Sequence, residues 1–139
     1  MKKFITQEHA SGCAVACTAF VAGITYKKAL SSFYDGEFRA ELRGFYCREI
    51  VRVLKKLGMQ YDYFYLSKRN KKLMYIDKAI VFLKKSRKYP QGHYLCRAGK
   101  VWMDPWINYP SITNARSGFR KRLPGKLSYV VLPINTNNA

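Results

Sequence analysis

The sequence predicts an α+β domain in which N-terminal helices lie on one side of a small antiparallel sheet, with a candidate site at their junction. Three observations carry this reading. Helix-like apolar segments ended by glycine fall mainly within residues 13–58, and β-prone runs dominate from residue 60 onward. The 139 residues are 48% hydrophobic and 15% aromatic, too apolar for a disordered chain. No Pro/Gly/Ser linker or internal repeat divides them, so residues 1–134 read as one domain and 135–139 as a loose tail.

The elements follow in order. The polar turn Glu8-His9-Ala10-Ser11-Gly12 precedes an apolar segment from Cys13 to Ala22 that stops at Gly23. This reads as a buried helix over 13–23 with Cys13 in its first turn. A second helix is expected at 26–34. A third is expected at 45–57, where Ile50, Val51, Val53, Leu54 and Leu57 form one apolar face and Gly58 is the stop signal. Residues 60–66 alternate and are rich in aromatics, the pattern of a strand. A short helix is expected at 71–77, strands near 78–84, 93–97 and 100–104, a loop from Pro105 to about Leu123, and a last strand at 127–134.

The two strands around Ala98-Gly99 read as a hairpin, because glycine takes positive φ readily in a tight turn. A two-residue loop at Ala98-Gly99 sets Arg97 opposite Lys100 and, stepping outward, His93 opposite Asp104. A four-residue loop keeps that register and a three-residue loop breaks it. Directly opposed side chains have Cβ atoms about 4.5–5.5 Å apart on one face. Pro105 cannot donate to a ladder, so the strand is expected to end after the acid.

These placements assemble a nucleophile site. A helix N-terminus carries about half a positive charge and unpaired N–H groups, which favour the thiolate, the reactive form of Cys13. His93 can take the thiol proton while Asp104 fixes its orientation and tautomer. The amide of Gln7, six positions before Cys13, can donate to a developing oxyanion together with the backbone N–H of Cys13. Cys17, Cys47 and Cys96 read as core thiols, and His9 as a loop residue beside the site. The cysteine spacing suits neither a disulfide framework nor a zinc site. Free thiols in a reducing compartment and no metal or cofactor are therefore expected.

The ordered set resembles the papain-like cysteine peptidases, and within them the bacteriocin-processing, double-glycine peptidase family and its stand-alone relatives. Gln7-x5-Cys13-x3-Cys17 leading into an apolar helix carries the resemblance, with the amphipathic stretch Cys47 to Gly58. The run Ala79 to Lys85 before the histidine, His93-Tyr94 and Asp104-Pro105 complete it. It spans most of residues 4–134. It implies a papain-like fold, hydrolysis of a peptide or isopeptide bond by Cys13, His93, Asp104 and Gln7, and acyl transfer if an amine replaces water. Gly12 stands where the family usually has a polar or acidic residue, and Ala14 where it has glycine. No transporter segment follows, so specificity for a double-glycine leader does not carry over.

Charge is the second large feature. There are 26 Lys+Arg against 8 Asp+Glu, a net charge of +18, and no acid follows Asp104. The basic clusters are Lys68–Lys72, Lys84–Lys88 and Arg116 with Arg120–Arg122. They suggest a polyanionic partner: nucleic acid, an acidic protein or an anionic membrane surface. Tyr61, Tyr63, Tyr65, Tyr75 and Tyr89, in or near these clusters, are candidates for stacking on bases, though no base-reading motif is present. An inactive family member, or a basic binding protein, is the alternative to an enzyme. A monomer is expected. The start Met1-Lys2-Lys3 and the apolar run at 13–24 resemble a signal peptide, but Gln7-Glu8-His9 interrupts the stretch. A cytoplasmic location is therefore expected. No run reaches the 18 or so apolar residues that span a membrane.

Overall fold

A computed structural model of the chain describes residues 4–111 and 114–134. The tail expected at 135–139 lies outside them. Helix α1 covers Cys13–Ala22, and every residue from Ala14 to Val21 is buried. A helix apolar on all sides belongs inside the fold. Its one hydroxyl is satisfied locally, Thr18 Oγ1 donating to Ala14 O at 2.8 Å. Helix α2 spans Tyr26–Ser32, and its N-cap Thr25 accepts from the Lys28 N–H at 3.1 Å. Helix α3, Gly36–Leu42, has no counterpart in the elements expected from sequence. Helix α4, Cys47–Lys56, buries Cys47, Ile50, Val53 and Leu54. Glu49 in its first turn accepts from the Tyr46 N–H at 2.8 Å and pairs with Arg39 of α3. This ties the two helices together.

The strands are β1 (Tyr61–Tyr65), β2 (Ile80–Leu83), β3 (His93–Ala98), β4 (Val101–Asp104), β5 (Gly118–Arg120) and β6 (Leu127–Pro133). They form one antiparallel sheet in the order β1-β6-β2-β3-β4-β5. The expected α+β class is therefore what the chain forms. The helix expected at 71–77 is a single 3-10 turn, Lys71–Tyr75, and the expected loop after Pro105 contains β5.

Two cores flank the sheet. Ile80, Tyr94, Cys96, Met103 and Val131 pack with α1, α2 and α4. The alternate residues Val81, Leu83, Leu95, Trp102, Val130 and Leu132 pack with Leu66, Met74 and Tyr89, which come from the connections. Covering both faces explains why β2 reads as an unbroken apolar run and why β3 is buried at four successive residues rather than at alternate ones. No single helix among the described residues is long and apolar enough to cross a membrane.

The β3–β4 hairpin differs from expectation in register. Ala98 pairs with Val101, Arg97 with Trp102 and Cys96 with Met103, so the two-residue turn is Gly99-Lys100. Gly99, at φ 65°, takes the first turn position rather than the second. The ladder moves by two residues, so His93 and Asp104 are diagonal rather than directly opposed. A shift of two preserves the face each side chain occupies, and diagonal neighbours remain within reach of long side chains.

Candidate active site

Cys13, His93 and Asp104 converge where α1 begins, β3 begins and β4 ends. His93 and Asp104 are buried and Cys13 is half-buried. His93 Nε2 donates to Asp104 Oδ1 at 2.7 Å. That leaves Nδ1 as the ring nitrogen for the Cys13 thiol, whose proximity helps raise the imidazole. Burial opposes a charge on His93, but the hydrogen bond to Asp104 and the nearby Cys13 outweigh it and raise the imidazole from 6.5 to about 9. Burial likewise works against the Asp104 carboxylate. Its bonds to His93, to the Trp106 N–H at 2.9 Å and to Arg120 win, holding it below the usual carboxylate value.

Arg120 is the residue that sequence reasoning missed. Its Nε donates to Asp104 Oδ2 at 2.7 Å and its NH2 group to Ile107 O at 3.2 Å. In the sequence it stood within a basic cluster, where nothing distinguishes the partner of a buried carboxylate from a solvated charge. Tyr89 was also missed as a site residue. Its ring stacks on His93 with centroids 4.5 Å apart and planes within 6°, fixing the imidazole plane from one face. Trp106 and Tyr109 pack beside it.

Two glycines set the backbone here. Gly92, just before His93, has φ 78°, and a Cβ on it would come within 2.3 Å of the Phe82 ring and 2.8 Å of Leu83 O. Gly12, just before Cys13, lies under Tyr26, whose hydroxyl a Cβ would meet at 2.1 Å. That ring is held by His9, whose Nδ1 is 2.9 Å from the Tyr26 hydroxyl. A side chain at position 12 would have to displace the Tyr26 hydroxyl.

Gln7 lies in the N-terminal arm, which runs beside the end of β4. Its N–H donates to Pro105 O at 3.2 Å, beside Asp104, and Thr6 Oγ1 lies 2.6 Å from Ser117 Oγ. The buried side-chain Nε2 donates to His9 O at 2.8 Å and Ala10 O at 3.2 Å, bracing the turn before Cys13. Both amide hydrogens are therefore engaged within the protein. The Cys13 N–H, first in α1, has no intrahelical partner.

The other cysteines lie in the core. All four thiols are free; Cys17 and Cys96 interact with each other, and Cys47 Sγ is 3.6 Å from the Tyr94 hydroxyl. Burial pushes the Cys17 and Cys47 thiols up. His9, Glu37 and Glu41 each bring a ligand atom within 4.8 Å of the others, the group among the described residues able to hold a metal ion. Both glutamates are exposed.

A cleft of about 660 Å³ opens onto Cys13 and His93. One wall is the connection from α3 to α4 with the first turn of α4. The other is the β2–β3 connection, including Lys85 and Tyr89–Gly92. Gln91 ties the walls together, accepting from Ser11 Oγ at 2.7 Å and donating to Leu42 O at 3.2 Å.

No protein-family model and no curated protein matches this chain. What bears on its chemistry is the arrangement of Cys13, His93, Asp104, Arg120 and the cleft.

Of the tyrosines near basic clusters, Tyr61 and Tyr89 are buried and unavailable for stacking on bases. Tyr63, Tyr65 and Tyr75 are exposed, but the Tyr75 ring is already covered by the Arg97 guanidinium 5.0 Å from its centroid.

Proposed function

We propose that this protein is a papain-like cysteine peptidase hydrolysing a peptide or isopeptide bond. The observation that carries the reading is the relay from Cys13 at the α1 N-terminus through His93 to the buried carboxylate of Asp104, at the mouth of a cleft. The proposed reactive form is a thiolate–imidazolium pair, and the upward shift of His93 favours its imidazolium half.

In the proposed reaction, Cys13 Sγ bonds to the carbonyl carbon. The carbonyl oxygen becomes an oxyanion facing the Cys13 N–H. For Gln7 to join it, the amide must release one of its bonds to His9 O and Ala10 O. His93 then gives its Nδ1 proton to the departing amine as the C–N bond breaks. Neutral His93 next takes a proton from water, the hydroxide attacks the thioester carbon, and Sγ leaves as thiolate with His93 again protonated. Asp104 keeps the ring's Nε2 edge fixed throughout, and Arg120 holds Asp104.

The test is cleavage of a quenched-fluorescent peptide library by wild type and by Cys13→Ala, with products read by mass spectrometry. Wild-type cleavage that disappears in Cys13→Ala is expected. Equal cleavage by both proteins, or none by either, would remove the peptidase reading. The net charge of +18 favours a second reading, a basic protein that binds a polyanion while its cysteine site is silent. Its mark would be binding that falls steeply with salt and ignores Cys13→Ala.

A further inference from the structure

We propose that the cleft selects a peptide segment carrying acidic side chains next to the bond presented to Cys13, an inference that rests on the peptidase reading of that residue. Arg43 and Arg48 stand on one wall and Lys85 on the other. All three are exposed, and none makes an ion pair among the described residues. Arg39, also in the lining, is neutralised by Glu49. The remaining lining acid is Glu41.

The lining that includes the thiol therefore carries three unpaired cations and one carboxylate. The cleft's aromatic surfaces, among them Phe45, Tyr46, Tyr63 and Tyr129, give an extended chain apolar area between the charges. Arg48 lies over the Tyr46 ring, 4.9 Å from its centroid, so its fork is held at the rim rather than free in solvent. A volume of about 660 Å³ is in the usual range for a pocket that encloses a ligand. A peptide supplies the carbonyl carbon that the enclosed thiol requires; a phosphodiester does not. This favours an acidic peptide over a nucleic acid as the occupant.

The test is fluorescence anisotropy on Cys13→Ala, with readout independent of turnover. Three labelled probes are compared at about 0.15 M salt: a peptide with Glu and Asp residues, the same peptide with Gln and Asn in their place, and an oligothymidylate. Each is measured again with Arg43→Glu/Arg48→Glu added, and with Lys71→Glu/Lys72→Glu, a reversal of equal size at exposed positions outside the cleft. The acidic peptide is expected to bind about tenfold more tightly than its neutral counterpart, as several rim ion pairs together allow. The cleft reversal should erase that preference and the distant reversal should leave most of it.

Equal affinity for the two peptides would overturn the proposal. So would a distant reversal as effective as the cleft one, because the preference would then come from overall charge. Tighter binding of the oligothymidylate, lost on cleft reversal, would assign the cleft to nucleic acid instead. Cys13-dependent cleavage of neutral and acidic peptides at equal rates would keep the peptidase and remove the specificity. Cleft-dependent binding of the acidic peptide without cleavage would do the reverse.

Discussion

Replacing His93 with alanine is expected to lower kcat/KM for a cleaved peptide by about a thousandfold or more, with most of the loss in kcat. The ring bonds the buried carboxylate and interacts with the thiol. Without it the thiol has no partner to share its proton with, and the leaving amine has no donor. The fold should tolerate the change, because Asp104 keeps Arg120 and the Trp106 N–H. Circular dichroism and urea unfolding of the variant separate lost chemistry from lost structure. A folded His93→Ala protein with less than a tenfold fall in kcat/KM would mean that His93 is not the base.

The second large effect is on stability. Asp104→Ala is expected to cost about 3 kcal/mol near neutral pH, the lower end for breaking a buried ion pair. It lies at the lower end because Arg120 is 23% exposed and can turn to water, and because His93 can shed its proton. The pH dependence has a definite sign. His93 is raised from 6.5 to about 9 on folding. Its contribution is fully present below 6.5 and is lost as pH rises through 9. Asp104 is lowered from 3.8. Its contribution is present above 3.8 and is lost as pH falls through the folded value. Both shifts describe largely one interaction, so they bound a single plateau between about pH 4 and 6.5. Urea unfolding from acid to pH 9.5 should show wild type losing stability at both ends and Asp104→Ala changing much less. Parallel curves for the two proteins would contradict the coupling.

Much of this site was legible in the sequence because it rests on local rules. Gly12 and Gly23 bracket an apolar run of helical length, which located α1 and put Cys13 at its start. Strand periodicity gave His93 and Asp104 a common face, and that survived an error in register because the error was two residues. The turn slipped because Ala98-Gly99 and Gly99-Lys100 both offer a glycine, and only the fold decides which turn position it takes. Helix α3 was missed because it has only seven residues and leaves Phe38 and Leu42 exposed, so no apolar stripe announces it. Strand β5 has three residues at a sheet edge, too few to show alternation. Arg120 and Tyr89 depend on contacts between segments distant in the chain, and no local pattern encodes those. The hydrogen bonds of Gln7 likewise depend on where the arm and the turn at His9–Ala10 meet.

The central claim is that Cys13 and His93 share a proton as a working pair. The most direct test is the rate of iodoacetamide labelling of Cys13 from pH 5.5 to 9, read by mass spectrometry on wild type and His93→Ala. Cys17, Cys47 and Cys96 are buried and will label slowly for that reason alone, so the comparison that matters is Cys13 with itself. The account predicts fast labelling near pH 6 with little rise up to pH 8 in wild type. In His93→Ala it predicts slow labelling that climbs about tenfold per pH unit, as an ordinary thiol does below about 8.5. Identical steep profiles in the two proteins would contradict the pairing, and with it the proposed peptidase.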